Sequence, residues 1–200
     1  LAFEIGKGIH ASMIIIPEMF NKTQITIDKI VRLIISSMIK RRIVEQKFGV
    51  VVVGEGIFHF LQDEDIASSG ITFDYDAHGH PELSEVSKAH VISKILKNRL
   101  KELNLDIICR PVEVGYSLRC VDPSAFDLTY CTTLGIGVKK LYDEGHSGCM
   151  VAVNLEEEVI PVYLKDVEDE HGKIRTRLVN IDKEVVRQTL AENIYYLTAQ

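Results

Sequence analysis

The sequence predicts an α/β fold in which a parallel sheet is sandwiched by helices. Two stretches, ASMIIIPE at Ala11–Glu18 and FGVVVVGEG around Gly49–Val53, are unbroken apolar runs closed by Pro17 or by Gly54 and Gly56. A strand that is apolar at every position suits burial on both faces, the condition of a parallel sheet. Between the two runs, Ile27, Ile30, Val31, Ile34, Ile35, Met38 and Ile39 recur at helical spacing. Strand and helix thus alternate, and parallel neighbours joined by helices are the arrangement that buries both kinds of surface.

Taken in order, Leu1–His10 reads as a helical stub without an N-cap or an initiator Met, so the chain is expected to be a fragment or a processed piece. The first strand follows at Ala11–Glu18. The next helix carries Lys40, Arg41 and Arg42 near its end, where cations suit the helix dipole. After the Gly49–Val53 strand the periodicity fails. Asp63, Glu64, Asp65, Ser68, Ser69 and Gly70 mark a polar insert near 60–82. Ser84 is expected to start a third helix, with Val91, Ile95, Leu96 and Leu103 on its apolar side. Ile107–Val114 is apolar and β-branched, which predicts a buried strand, and Gly115 lets the backbone turn after it. Ser124 and Asp127 are spaced as an N-cap and its N3 carboxylate, opening a helix that runs to about Glu144 and stops at Gly145. Gly148–Asn154 and Val159–Leu164 read as two more strands, and a last helical pattern runs from about Asp182 to Leu197.

Hydrophobic residues make up 46% of the 200 residues and charged ones 26%, enough apolar content for a globular core. A net charge of −6 argues against a general nucleic-acid binder, which is normally basic. No apolar run is long enough for a membrane span, and no secretory signal is present. Cys109, Cys120, Cys131 and Cys149 form no C-x-x-C pair, so neither a zinc ribbon nor a redox dithiol is indicated. They are expected to be small buried hydrophobes in a reducing cytoplasm.

The chemistry-bearing stretch is Cys109–Asp127, CRPVEVGYSLRCVDPSAFD. Arg110 lies on the expected strand, and Tyr116 and Arg119 follow its turn three residues apart. Guanidinium forks grip phosphate oxygens in bidentate fashion and a phenol adds another donor. The competing reading is surface arginines paired with Glu113 and Asp122. Ligands of parallel sheets bind beyond the carboxyl ends of strands, and Glu18, Glu55, Tyr116 and Arg119 all fall at such ends. Glu18 could accept hydrogen bonds from two sugar hydroxyls or be an exposed acid. His78 and His80 resemble a metal pair, yet alternating histidines in a polar loop are more often solvated. Glu156–Glu158 reads as a solvated turn.

GYSLRCVDPSAFD resembles the late substrate-binding segment of the phosphofructokinases, a Gly-His/Tyr-x-x-Arg tetrad followed by Pro and a helix-opening Asp. IIIPE resembles that family's strand ending in Pro-Glu, and the two motifs stand in the family's order. Tyr116 and Cys120-Val121 are closer to the pyrophosphate-dependent and long forms than to the short ATP-dependent ones. The resemblance implies that Glu18 holds fructose hydroxyls and that Tyr116 and Arg119 contact the 6-phosphate. It implies that Arg110 reaches the phosphate of a neighbouring subunit's substrate, which makes the protein at least a dimer. Asp127 is read as structural. The implied reaction is phosphoryl transfer to the 1-hydroxyl of fructose 6-phosphate in glycolysis, from diphosphate or ATP, with Mg2+ as cofactor. The resemblance covers most of residues 1–154, the sugar-phosphate region, with 155–200 as a C-terminal extension. The family's donor-binding, catalytic-Asp and Met-Gly-Arg segments precede the point where this chain begins. No catalytic residue and no metal ligand is therefore expected among these 200 residues. A non-catalytic regulatory subunit of the same fold is the alternative.

Overall fold

The computed structural model describes residues 1–20, 24–62, 64–65, 87–168 and 178–193, with Tyr116, Glu192 and Asn193 described by backbone alone. The chain divides into two compact units, Leu1–Glu113 with Leu178–Gln200, and Val114–Arg177.

In the first unit the helical stub is α1, Ala2–Gly8, and the first strand is β1, Met13–Ile15. β1 pairs in parallel with β2, Val51–Val53, in the register Met13↔Val51 and Ile15↔Val53. The alternation of side chains along a strand sends Met13 and Ile15 into one apolar cluster and Ile14 and Ile16 into another. All of β1 is buried, as its unbroken apolar run predicts.

The crossover between the strands is α2, Ile27–Ile43. Thr26 caps it, its Oγ1 accepting from the Lys29 N–H at 3.1 Å. Ile27, Ile30, Val31 and Ile34 are buried along one stripe, and they meet Val91, Leu96 and Leu100 of α3, Lys88–Glu102, in the same cluster. The cap of α3 is Ser87, three residues beyond the expected start at Ser84. The bulk of the polar insert, with His78 and His80, lies outside the described residues.

The expected strand at Ile107–Val114 is not one: among the described residues it pairs with no neighbour. Leu105, Ile107 and Cys109 pack on the core while Asp106, Ile108 and Arg110 face outward. The segment has the period of a half-buried strand without a partner's ladder. The chain re-enters this unit after Arg177 and ends in α6, Glu184–Asn193, whose Leu190 is buried in the cluster that holds Ile14 and Ile16.

The second unit opens with α4, Gly115–Arg119, where a turn after a strand was expected. Next comes α5, Ala125–Asp143, with a complete capping box. The Asp127 N–H donates to Ser124 Oγ at 3.3 Å, and the Ser124 N–H donates to Asp127 Oδ2 at 2.8 Å. Gly145 follows at φ +82°, the left-handed geometry of a helix stop. β3, Cys149–Val153, and β4, Val159–Tyr163, form an antiparallel hairpin rather than further parallel strands. Five residues suffice for a hairpin turn, whereas a parallel connection needs a dozen or more. Asn154 organises that turn, its Oδ1 accepting from the Glu156 and Glu158 N–H groups at 3.0 and 2.8 Å. The division expected after Asn154 falls inside this hairpin, so compactness does not follow it. α5 packs on both strands.

The fold is therefore α/β with a parallel strand pair, compatible with a phosphofructokinase-like architecture. No described helix is long and apolar enough to cross a membrane.

Candidate functional site

Pro17 has no N–H to continue the ladder, and β1 gives way there to a 3₁₀ turn, Pro17–Phe20. That turn sets Glu18 at the carboxyl end of β1. β2 ends at the same edge, where the Gly54 N–H donates to the Ile15 carbonyl at 2.8 Å. It continues into a second 3₁₀ stretch, Glu55–Phe60. The two turns touch, as parallel strands that end together require.

A cleft of about 640 Å³ opens beyond these strand ends. Its polar lining is Glu18, Gln24, Gln62 and Asp182, and its apolar lining includes Pro17, Phe60, Leu178 and Val179. Among the described residues that line it there is no Lys, Arg or His. Glu18 is half-buried, and its Oε1 accepts the Val179 N–H at 2.9 Å. Glu18 is thus neither a helix cap nor a free acid: one of its oxygens is held by a segment 161 residues away.

The other sequence-derived candidates fall as follows. Arg110 is exposed on the unpaired segment of the first unit. Positions 116 and 119 share α4 of the second unit, one helical turn apart, and Arg119 is exposed. The structure thus brings Glu18 together with the cleft residues and sets Tyr116 and Arg119 on one short helix. Asp127 is structural in the described geometry. Hydrogen bonds from the Ser124 hydroxyl and N–H hold its carboxyl below the usual carboxylate range. Glu55, which also ends a strand, pairs with Lys88 at the start of α3.

The cysteines depart from expectation. Cys120 and Cys131 are exposed, and Cys109 and Cys149 are half-buried, none in a disulfide. Burial pushes the Cys109 thiol up, with Lys97 pulling the other way. Small apolar residues are cheap to expose singly, so an apolar side chain alone does not put a cysteine in a core. Among the described residues no group of three or more His, Cys, Asp or Glu could hold a metal ion.

Sequence reasoning missed Gln24, Gln62, Val179 and Asp182. Asn180-Ile-Asp182 reads locally as a turn into a helix, and nothing local shows that it meets Glu18.

No protein-family profile matches the chain. Curated proteins do. The pyrophosphate–fructose 6-phosphate 1-phosphotransferase of Naegleria fowleri is 31% identical over 193 residues, covering 92% of this chain and 44% of that protein. The protein of the same name from Thermotoga maritima is 29% identical over 192 residues, covering 94% and 45%. The chain is homologous to part of these two curated proteins. The similarity extends to a beta subunit of the Arabidopsis thaliana phosphotransferase, 20% identical over 228 residues. The chain spans less than half the length of the curated relatives it matches. The match runs past residue 154, since it takes in more than nine-tenths of the chain.

Proposed function

We propose that the protein transfers a phosphoryl group from diphosphate to the 1-hydroxyl of fructose 6-phosphate, and that these 200 residues bind the sugar phosphate. One observation carries the reading: the match to enzymes named for that reaction runs through both the Pro-Glu and the Gly-Tyr-x-x-Arg segments. The cleft supports it, because Glu18 lies beyond the carboxyl ends of two parallel strands, where ligands of such sheets bind.

In this reading Glu18 accepts hydrogen bonds from sugar hydroxyls, and Tyr116 and Arg119 hold the 6-phosphate. Arg110 reaches the phosphate of a neighbouring subunit's substrate in a homo-oligomer. The donor site and the catalytic base belong to other residues. Mg2+, which phosphoryl transfer uses to spread charge on the donor, finds no ligand set among the described residues, so no step is assigned to it here. The enzyme would act in glycolysis in the cytoplasm.

Titration calorimetry of fructose 6-phosphate on wild-type, Glu18→Ala and Arg119→Ala protein tests the assignment. Charge-assisted hydrogen bonds contribute about 1.5–3 kcal/mol, so each variant should bind on the order of 10- to 150-fold more weakly. Wild-type affinity in both variants would remove the site. Activity with ATP and none with diphosphate would overturn the donor.

A further inference from the structure

The lining of the Glu18 cleft is unusual for a protein proposed to bind a phosphorylated ligand. Among the described residues it holds two carboxylates, Glu18 and Asp182, two carboxamides, Gln24 and Gln62, and no cation. Carboxylates only accept hydrogen bonds, and carboxamides both accept and donate. Such a set repels a phosphate dianion and suits hydroxyl groups, each of which brings a proton to donate. In the sugar-phosphate reading, the part of the ligand that these residues suit is the uncharged polyol.

A pair of neighbouring hydroxyls presents two protons. Glu18 can accept both, although one lone pair of its Oε1 is already taken by the Val179 N–H at 2.9 Å. A second acceptor would hold further hydroxyls, and the same returning segment supplies one. Asp182 lines the cleft, is exposed, and sits three residues beyond Val179. Its position is fixed from its own backbone: the Asp182 N–H donates to Asn180 Oδ1 at 3.0 Å. The segment runs directly into α6, which is anchored on β1 through buried Leu190. Phe60, 58% exposed at the same cleft, offers an aromatic face to the C–H side of a sugar.

We propose that Asp182 is a second hydroxyl-binding carboxylate of the sugar site, delivered to the same cleft as Glu18 by the segment that holds Glu18 in place. The proposal rests on the sugar-phosphate reading above and adds a specificity residue to it. An acid just before α6 also favours the helix dipole, and the test separates the two roles.

Calorimetry on the full-length protein uses two probes, fructose 6-phosphate and inorganic phosphate as its competitor. Asp182→Ala should weaken fructose 6-phosphate by roughly 10-fold or more and leave the competing phosphate unchanged. Asp182→Asn, which keeps one acceptor oxygen, should recover part of the loss. Arg119→Ala should weaken both probes. Fructose 6-phosphate affinity within about twofold of wild type in Asp182→Ala, with Glu18→Ala impaired, overturns the proposal alone. Wild-type affinity in both carboxylate variants overturns the sugar-site reading as well. Equal weakening of both probes with a lowered Tm assigns Asp182 to the helix and also overturns the proposal.

Discussion

Glu18 can orient a ligand only because something orients Glu18. A long flexible carboxylate loses rotamer entropy when it is fixed, and the Val179 N–H meets part of that cost before any ligand arrives. Val179→Pro removes the donor while keeping an apolar side chain. It should raise the KM for fructose 6-phosphate severalfold with little change in kcat, and steady-state kinetics on the full-length enzyme would show a wrong assignment as an unchanged KM. Asp127 makes a different kind of residue-scale prediction. Its carboxyl is held below the ordinary range by Ser124, so its stabilising effect is fully present above the unfolded value near ~3.9. That effect is lost only as pH falls through the depressed folded value. The stability difference between wild type and Asp127→Asn should therefore be constant from pH 5 to 7 and shrink in stronger acid, as denaturant titrations at each pH would show. Cys109, with its thiol raised by burial, should alkylate at pH 8 more slowly than exposed Cys120 and Cys131. Timed labelling with peptide mass analysis reads this directly.

At the scale of the element, α5 shows how two glycines in one helix differ. A Cβ at Gly137 would lie 2.7 Å from Val151 Cγ1 and 2.8 Å from Val159 Cγ1, both on the hairpin beneath. One at Gly135 would meet nothing within 4 Å. Alanine gains about 1 kcal/mol of helix propensity over glycine, while overpacking costs about 1–3 kcal/mol. Gly135→Ala should thus stabilise and Gly137→Ala destabilise, as opposite shifts of the urea midpoint. The elements also show what was legible beforehand. Caps are local chemistry, and Ser124 with Asp127 marked the start of α5 in the sequence as in the structure. β1 was legible because burial on both faces leaves no polar position in its run. Ile107–Val114 is largely apolar but carries Arg110 and Glu113, and a strand also needs a partner's hydrogen bonds, a non-local condition that no run of side chains states. The strands β3 and β4 were legible, whereas their antiparallel pairing shows only in the register between them. The cleft was half legible for the same reason. Glu18 follows from a strand ending in Pro-Glu, whereas Asp182 joins it only through chain return.

For the whole molecule, the central fact is proportion: the chain matches relatives more than twice its length along nearly all of its own residues. Phosphoryl transfer needs a donor cradle, charge neutralisation and a base for the attacking hydroxyl. The sequence contains no Gly-rich phosphate loop, and the cleft is lined by carboxylates and amides without a cation. The described lining, two carboxylates and two amides, suits a polyol better than a diphosphate. In the proposed reading, sugar recognition resides in these residues and donor recognition elsewhere in the full-length protein. The isolated 200-residue chain should therefore bind fructose 6-phosphate, or at least be protected by it against thermal unfolding. With diphosphate and magnesium it should release no fructose 1,6-bisphosphate, while the full-length protein turns over under the same conditions. Product detected by mass spectrometry from the isolated chain at a rate near that of the full-length protein would show that donor chemistry is encoded within these residues, and the division would fail.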